Sequence, residues 1–210
     1  MKPPALTIAP GILLWRQWLD RGAQESLLAG VRAGLEQAPL YRPVMPGTGK
    51  AFTALESNFG PLGWVADKSG YRYQPLHPVT QKPWPAMPDG LTALWRQLAG
   101  AFCPDPPPLS CCLVNFYRDG ARMGAHQDRD ENDILAPVIG ISLGDSALFR
   151  IGGPSRKGPS RTLPLESGDV IGFGGPARLA FHGIDRVRAG TSTLIAGGGR
   201  ISLTLRHVRT

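Results

Sequence analysis

Four residues in the second half of the chain have the types and spacing for metal chemistry. His126 and Asp128 stand two positions apart in HQD, His182 lies in FHG, and Arg200 follows a run of glycines. Because residues i and i+2 of an extended chain point to the same side, the first His and the Asp can converge on one ion. Two imidazoles and one carboxylate form the ligand set that holds non-haem Fe(II) and leaves coordination positions open. The pattern predicts the iron site of an oxygen-using enzyme.

Other metal sites require patterns that this sequence lacks. A metalloprotease helix pairs histidines at i and i+4 with a Glu between them, and a structural zinc site brings spaced pairs of Cys. A single H-x-D spacing is nevertheless weak, because most such spacings are surface polar residues. The strands that position these residues therefore have to supply the context.

Strict alternation in RISLTLR predicts a C-terminal strand with one polar face. Arg200, Ser202, Thr204 and Arg206 share that face. A solvated edge strand is one interpretation of the two arginines. The other is a clamp, since a planar guanidinium inside a barrel can bind a carboxylate through two parallel hydrogen bonds, as a dicarboxylate cosubstrate requires.

A second predicted strand, Ser110–Arg118, offers an amide and a phenol to the same kind of ligand. Asn115 and Tyr117 are two positions apart and so share one face of that strand. Tyr117 could equally be an ordinary half-buried strand aromatic. Both residues are candidates for the cosubstrate pocket.

Several longer stretches around these residues are specific enough to compare with known families. They are LVNFYRDGARMGAHQDRDE, PVIGISLGDSALFRIGG, LESGDVIGFGGPARLAFHGI and GGGRISLTLR. These stretches resemble the AlkB family of Fe(II)- and 2-oxoglutarate-dependent dioxygenases. The upstream stretch NFGPLGWVADKSGYRYQPLHPVTQKPWPAMP resembles the nucleotide-recognition segment of that family.

The resemblance implies a role for each candidate residue. It implies that His126, Asp128 and His182 ligate Fe(II) and form the catalytic centre, and that Arg200 binds the distal carboxylate of 2-oxoglutarate. The remaining residues implied to complete the cosubstrate pocket or buttress the iron centre are Arg206, Asn115, Tyr117 and Ser202. Ser202 departs from the bacterial pattern, which has Asn at this position, so the shorter side chain lacks an amide contact.

The resemblance also implies a pocket for a nucleobase. A base must be flipped out of a duplex, or come from a single strand, before chemistry can reach it. Trp64 would stack on that base opposite His126, with Tyr71 as the second flat partner. A cationic N-methylated base gains from cation-π attraction and from a nearby carboxylate, for which Asp130 or Glu131 is well placed. Trp64 could instead be a loop anchor between glycines, and DRDEND could be a solvated acidic turn.

The charge balance fits a polyanionic partner. The chain has 23 Lys and Arg against 16 Asp and Glu, a formal net charge of +7. A soluble basic protein without such a partner fits this charge almost as well. Two groups of basic residues could contact phosphates or be solvated loop tips: Arg150, Arg156, Lys157 and Arg161, and Arg186, Arg188, Arg206 and Arg209. We include Arg156 among the substrate-binding candidates.

Composition and periodicity predict one β-rich α+β domain over residues 1–210. The 27 Gly and 21 Pro favour turns and short strands, which fits a double-stranded β-helix, or jelly roll. Residues 1–108 are expected to form N-terminal helices and a recognition lid, irregular from Phe52 to Met87, and residues 109–210 the jelly-roll catalytic core. Helical spacing is predicted at Leu27–Leu35 and at Leu91–Leu98, with Asp89 as N-cap. The predicted strands are Ser110–Arg118, Val138–Leu143, Ala147–Ile151, Asp169–Phe173, Leu179–His182 and Ile201–His207.

The three cysteines, an odd number, imply no disulfide framework and favour a reducing compartment. No apolar run reaches membrane-spanning length, and the prolines and early Arg of the first residues do not fit a secretory signal. We therefore expect a cytoplasmic monomer without a membrane partner.

The sequence thus predicts a DNA repair dioxygenase that uses Fe(II), 2-oxoglutarate and O2. It would demethylate 1-methyladenine and 3-methylcytosine in alkylated DNA, preferably single-stranded, and release formaldehyde. A dioxygenase of the same fold that acts on RNA or protein remains an alternative, as does a non-catalytic module that binds damaged nucleic acid. A pure binder has no need for a complete set of metal ligands, so it ranks last.

Overall fold

Two antiparallel β-sheets dominate the structure, a computed structural model that describes residues 5–209. The strands, in chain order, are β1 (Leu6–Ala9), β2 (Ile12–Trp15), β3 (Leu55–Phe59), β4 (Gly63–Asp67), β5 (Gly70–Gln74), β6 (Cys111–Tyr117), β7 (Met123–His126), β8 (Val138–Gly144), β9 (Ser146–Gly152), β10 (Ser160–Leu165), β11 (Val170–Phe173), β12 (His182–Arg188) and β13 (Arg200–Arg206). The helices are α1 (Arg21–Gln37) and α2 (Leu91–Ala99).

The two large sheets pack face to face. The major sheet has the order β1-β2-β11-β8-β13-β6-β3, and the minor sheet has the order β10-β9-β12-β7. Ile171 and Phe173 of the major sheet share a buried apolar cluster with Phe149 and Ile184 of the minor sheet. This arrangement of antiparallel strands in two layers confirms the predicted β-rich jelly roll.

Both helices cover the other face of the major sheet. Leu28 and Val31 of α1 and Trp95 of α2 belong to one core cluster with Leu203 and Leu205 of β13. Because strand residues alternate between faces, these leucines turn the polar residues of β13 toward the minor sheet. The helices thereby fix which side of β13 faces the site.

Both predicted helices are present, but the predicted cap of the second is wrong. Asp20 caps α1 by accepting a hydrogen bond of 2.9 Å from the backbone N–H of Ala23. The N-cap of α2 is Gly90 rather than Asp89, and no side chain caps this helix. Gly90 has a φ of 81°, a left-handed conformation that Gly adopts without the strain another residue would meet.

The first half of the chain contributes more to the sheets than its irregular composition predicts. Strands β1, β2 and β3 join the major sheet, and the segment expected to be irregular also contains the separate hairpin β4–β5. The division at residue 108 into a cap and a core stays a prediction. Within the described part of the chain, no helix is long and apolar enough to cross a membrane.

The strand predicted at Leu179–His182 is wrong in position. A 3-10 turn occupies Gly175–Ala177, and the backbone N–H of Ala180 donates to the carbonyl of Ala177 at 2.9 Å. Strand β12 therefore begins only at His182, where this residue pairs in register with His126 of β7. The apolar residues before it follow a turn rather than a strand.

Candidate active site

A cavity of about 470 Å³ is lined by residues of both sheets and of the β4–β5 hairpin. The structure brings all twelve predicted site residues to its wall: His126, Asp128, His182, Arg200, Arg206, Asn115, Tyr117, Ser202, Trp64, Tyr71, Asp130 and Arg156.

Three of these residues converge as the sequence spacing predicts for a metal site. His126 ends β7 opposite His182 at the start of β12, and Asp128 follows two positions later. The Nε2 atom of His182 lies 3.4 Å from Oδ2 of Asp128, and Nε2 of His126 lies 4.0 Å from Oδ1. All three potential ligand atoms lie within 4.8 Å of one another. One face of a single divalent ion fits this donor set.

The two imidazoles are oriented for metal binding. Nδ1 of His126 donates to the carbonyl of Gly124 at 2.9 Å, and Nδ1 of His182 donates to the carbonyl of Ala180 at 3.0 Å. Each hydrogen bond fixes the tautomer that leaves an Nε2 lone pair free. Burial, and then the neighbouring His182, lower the pKa of His126 to about 4. His126 is therefore neutral at pH 7, as a ligand must be.

A buried ionic network holds the carboxylate of the triad. Arg206 donates through Nη2 to Oδ1 of Asp128, and its Nε lies 3.4 Å from Oε1 of Glu131. Arg178 donates to the other oxygen of Glu131 at 3.0 Å. Although burial opposes ionisation, Arg206 and the two histidines hold the pKa of Asp128 well below its ordinary range. Asp128 is thus an anion before any metal binds.

This network corrects the predicted role of Arg206 in phosphate binding. It also reduces the two candidates for the carboxylate beside the base, Asp130 and Glu131, to one. Arg206 is only 5% exposed, so it does not belong to a phosphate-contacting group at the end of the chain. Glu131 is 2% exposed and lies between two arginines, which leaves Asp130 as the carboxylate beside Trp64. No sequence pattern predicts the role of Arg178, because its three acceptors lie in a loop about 40 or more residues upstream.

The second arginine of β13 has unfilled hydrogen-bonding capacity. Arg200 is 1% exposed and donates from Nη2 to Oγ of Ser142 at 2.7 Å, while its Nε and Nη1 have no partner. Burial lowers the pKa of Arg200 to about 10, and the guanidinium stays charged at pH 7. A buried cation with free N–H groups requires an anion. A carboxylate of 2-oxoglutarate fits this requirement through paired hydrogen bonds.

Two further cosubstrate candidates lie in one polar row across the sheet. Ser202 of β13 pairs in register with Asn115 of β6 on one side and with Ser142 of β8 on the other. Oδ1 of Asn115 is buried without a partner. Tyr117 is in register with Arg200 itself. Ser202, Asn115 and Tyr117 therefore lie on β13 and β6 beside Arg200, whose Nε and Nη1 have no partner.

The turn before β13 fixes where this strand begins, and so where Arg200 lies. Gly197, Gly198 and Gly199 have φ values of 82°, 76° and 101°, which residues with a Cβ rarely adopt. The carboxylate of Asp145 accepts a hydrogen bond of 2.8 Å from the N–H of Gly199. This run of glycines thus allows the chain to turn sharply into the buried strand.

The aromatic candidates lie at the hairpin side of the cavity. The side chain of Asn58 bonds both the N–H and the carbonyl of Trp64, at 3.1 and 3.0 Å. The indole of Trp64 donates to Asp130 at 3.0 Å and stacks on Tyr71, with ring centroids 5.4 Å apart and an interplanar angle of 18°. The expected stacking of a base on Trp64 opposite His126 stays a prediction.

Arg156 forms part of the cavity wall. Its guanidinium lies 5.0 Å above the ring of Phe181. Arg150 from the same predicted basic group is instead bound by Asp185 through two hydrogen bonds of 2.9 Å. Within this group, Arg156 is therefore the residue at the wall of the main cavity.

Comparisons with known proteins agree with this geometry. Residues 11–206 match the profile of the 2OG-Fe(II) oxygenase superfamily. The alpha-ketoglutarate-dependent dioxygenase AlkB homolog of Caulobacter vibrioides is 55% identical over 207 residues, covering 98% of this chain and 91% of that protein. The alpha-ketoglutarate-dependent dioxygenase AlkB of Escherichia coli is 40% identical over 201 residues, covering 95% and 91%.

The solved structure of OsALKBH1 superposes with a TM-score of 0.80 at 27% identity and covers 97% of this chain and 100% of that chain. The candidate metal-binding group of His126, Asp128 and His182 thus lies within the part of the chain that matches the superfamily profile. The chain therefore belongs to the AlkB family of the 2OG-Fe(II) oxygenases and is a dioxygenase that uses Fe(II), 2-oxoglutarate and O2.

Proposed function

We propose that the protein repairs alkylated DNA by oxidative demethylation of 1-methyladenine and 3-methylcytosine, preferably in single strands. The observation that carries the proposal is that one cavity joins three parts. These are the His126, Asp128 and His182 triad, the unfilled guanidinium of Arg200, and an aromatic wall backed by a carboxylate. A flipped or single-stranded base is recognised by stacking on aromatic side chains, and a positive charge on the base is attracted by a nearby carboxylate.

The bound metal would supply the oxidising chemistry. The overall reaction consumes O2 and 2-oxoglutarate and yields succinate, carbon dioxide and a hydroxylated N-methyl group. The C–N bond of this hemiaminal then breaks, its electron pair stays on the ring nitrogen, and formaldehyde leaves as the hydroxyl proton is released. The protein contributes orientation and water exclusion.

The residues around the metal site have distinct tasks in this proposal. Arg200 holds the distal carboxylate of 2-oxoglutarate, with Asn115, Tyr117 and Ser202 beside it. Arg206 binds one oxygen of Asp128, so that the other oxygen is available to the metal. This hydrogen bond would hold the carboxylate in a fixed orientation toward a bound metal ion.

The substrate side is organised around Trp64. Asp130 accepts from the indole N–H and fixes the plane of this ring. Tyr71 covers one face of Trp64, so a base either stacks on the other face or displaces Tyr71. Arg156 is placed to bind a phosphate near the entrance. The free thiols of Cys103, Cys111 and Cys112 fit a cytoplasmic location, which we include in the proposal together with a monomeric state.

Mass spectrometry of a defined substrate tests the proposal. Protein loaded with Fe(II), 2-oxoglutarate and ascorbate is incubated with single-stranded DNA containing one 1-methyladenine or 3-methylcytosine, and RNA of the same sequence is treated in parallel. We expect loss of one methyl group per lesion and stoichiometric formaldehyde, both abolished in Asp128→Ala. Unchanged DNA, with succinate still formed by the wild type, would contradict the proposed substrate. Faster reaction of the RNA would assign the protein to RNA.

A further inference from the structure

Glu56 is a buried acid that the reaction described above does not use. It lies on β3, is 1% exposed and lines the active-site cavity. Its Oε2 is inaccessible to solvent and has no hydrogen-bond partner. A buried carboxyl oxygen without a partner carries a cost in stability. Such a cost is typical of functional sites that receive a ligand.

The register of β3 places Glu56 at the aromatic end of the cavity. Glu56 pairs with Asn115 of β6 and so extends the polar row of Asn115, Ser202 and Ser142 by one strand. Glu56 is at one end of the extended row, and Ser142 on β8 is at the other. Neighbouring strands lie about 4.8 Å apart, so β3 is roughly 14 Å from β8. Because Ser142 binds Arg200, Glu56 lies at the opposite end from the carboxylate clamp.

The neighbours of Glu56 along β3 confirm which face it occupies. Asn58, two residues later, shares its face and holds the backbone of Trp64 through two hydrogen bonds. Ser57 and Phe59 lie on the opposite face of β3, toward the helices, where Ser57 donates to the carbonyl of Ala38. One strand thus carries both Glu56 and the anchor of the aromatic wall.

We propose that Glu56 selects positively charged bases, its carboxylate binding the charge and the exocyclic amino group of the N-methylated base. This inference rests on the proposed function. A cation with an N–H donor supplies the partner that Oε2 lacks, whereas a neutral base with a carbonyl at the same position presents a second acceptor. The electrostatic difference between the two is large inside a cavity shielded from water.

The charges near Glu56 agree with this role. Burial raises the pKa of Glu56 to about 8, and the effect is opposed by Arg206 on β13. The other titratable groups that interact with it are Tyr117 on β6 and Tyr41, whose backbone forms a bridge with Glu56. Without a ligand the carboxyl is therefore largely neutral at pH 7. An entering cation favours the ionised form, so Glu56 releases its proton to solvent as the base binds.

A matched pair of lesions tests the selection. Single-stranded DNA containing 3-methylcytosine is compared with the same strand containing 3-methyluracil, which differs only in its exocyclic group and charge. We expect Glu56→Gln to lower the ratio of kcat/KM for the two strands at least tenfold, about 1.4 kcal/mol. The loss should fall on 3-methylcytosine, with the KM for 2-oxoglutarate unchanged. Glu25→Gln, at an exposed position on α1, is the control.

Several outcomes would overturn the role of Glu56. An unchanged ratio in Glu56→Gln would do so, as would an equal loss on both lesions with a raised KM for 2-oxoglutarate, which indicates support of Arg206 instead. Glu56→Leu provides the same comparison if the Gln variant does not fold. If the wild type demethylates neither strand, the proposed function fails. In that case, calorimetry of the anaerobic holoenzyme tests the role of Glu56 separately. We expect the wild type to release a proton when it binds the 3-methylcytosine strand and Glu56→Gln to release none.

Discussion

Arg200 and Glu56 are among the ionisable side chains that keep buried polar atoms without hydrogen-bond partners. Arg200 could be predicted from sequence, because the alternation of RISLTLR places it on the polar face of a strand. Glu56 could not, since its burial depends on β6 and on the hairpin that closes the cavity. Local pattern identifies a polar face, and only tertiary structure shows which polar atoms remain unpaired.

Replacing Arg200 should weaken cosubstrate binding specifically. Hydrogen bonds to charged groups contribute about 1.5–3 kcal/mol each, so we expect Arg200→Ala to raise the KM for 2-oxoglutarate by roughly 10- to 100-fold. Ser202→Asn should change it only mildly, because Ser202 lies beside the clamp rather than in it. Succinate formation at varied 2-oxoglutarate concentration measures both. Arg188→Ala, at an exposed position of β12, is the control, and an unchanged KM in Arg200→Ala would remove this residue from the clamp.

The pKa of Glu56 predicts a dependence of stability on pH. Because burial raises this pKa from its ordinary value of 4.5 to about 8, the folded state binds more protons than the unfolded state between these values. The contribution of Glu56 to the free energy of unfolding should therefore fall as pH rises from 4.5 to 8. We expect the thermal midpoint of Glu56→Gln, relative to the wild type, to increase across this range. A constant difference would contradict the raised pKa.

Turns and strand register, as well as apolar patterns, decide where the strands of this fold begin and end. The strands predicted near β6, β8, β9, β11 and β13 are present, because each has a clear apolar pattern. The sequence does not predict the position of β12, since a register shift between Ile184 and Arg186 breaks its alternation. The short hairpin β4–β5 is equally hidden by its polar and glycine residues. Irregular strands form here because their neighbours pair with them.

The glycine turn before β13 offers a prediction with an internal control. A Cβ at Gly199 would lie 2.8 Å from the ring of Phe116, and its φ of 101° disfavours any other residue. Gly197→Ala adds backbone strain alone, about 1–2 kcal/mol, because no atom lies within 4 Å of its added Cβ. We expect Gly199→Ala to be the more destabilising and to raise the KM for 2-oxoglutarate by moving Arg200. Denaturant unfolding and succinate assays measure the two effects, and equal losses in both variants would count against the steric argument.

Hydrogen bonds between segments that are far apart in the chain hold the site together. Tyr73 of β5 donates to Glu131 at 2.8 Å and accepts from Arg206 at 3.0 Å. Arg206 in turn binds Asp128 of the triad. The hairpin that carries the aromatic wall is therefore joined to the metal centre through buried charges. No sequence pattern predicts this connection, because it combines three segments that are far apart in the chain.

Removing the Tyr73 hydroxyl should loosen this connection without emptying the metal site. Tyr73→Phe removes two hydrogen bonds to charged groups but keeps the ring, and Arg206 still holds Asp128. We expect the KM for an alkylated oligonucleotide to rise roughly 10- to 100-fold, since one such bond to a charged group contributes about 1.5–3 kcal/mol. Succinate formation without oligonucleotide should change little, and amide hydrogen exchange should become faster in β4 and β5. Lys82→Ala, an exposed position of the same segment, is the control. A role of Tyr73 in the hairpin predicts a defect confined to oligonucleotide binding. A large loss of succinate formation in Tyr73→Phe would contradict this role and would mean that Tyr73 supports the metal centre instead.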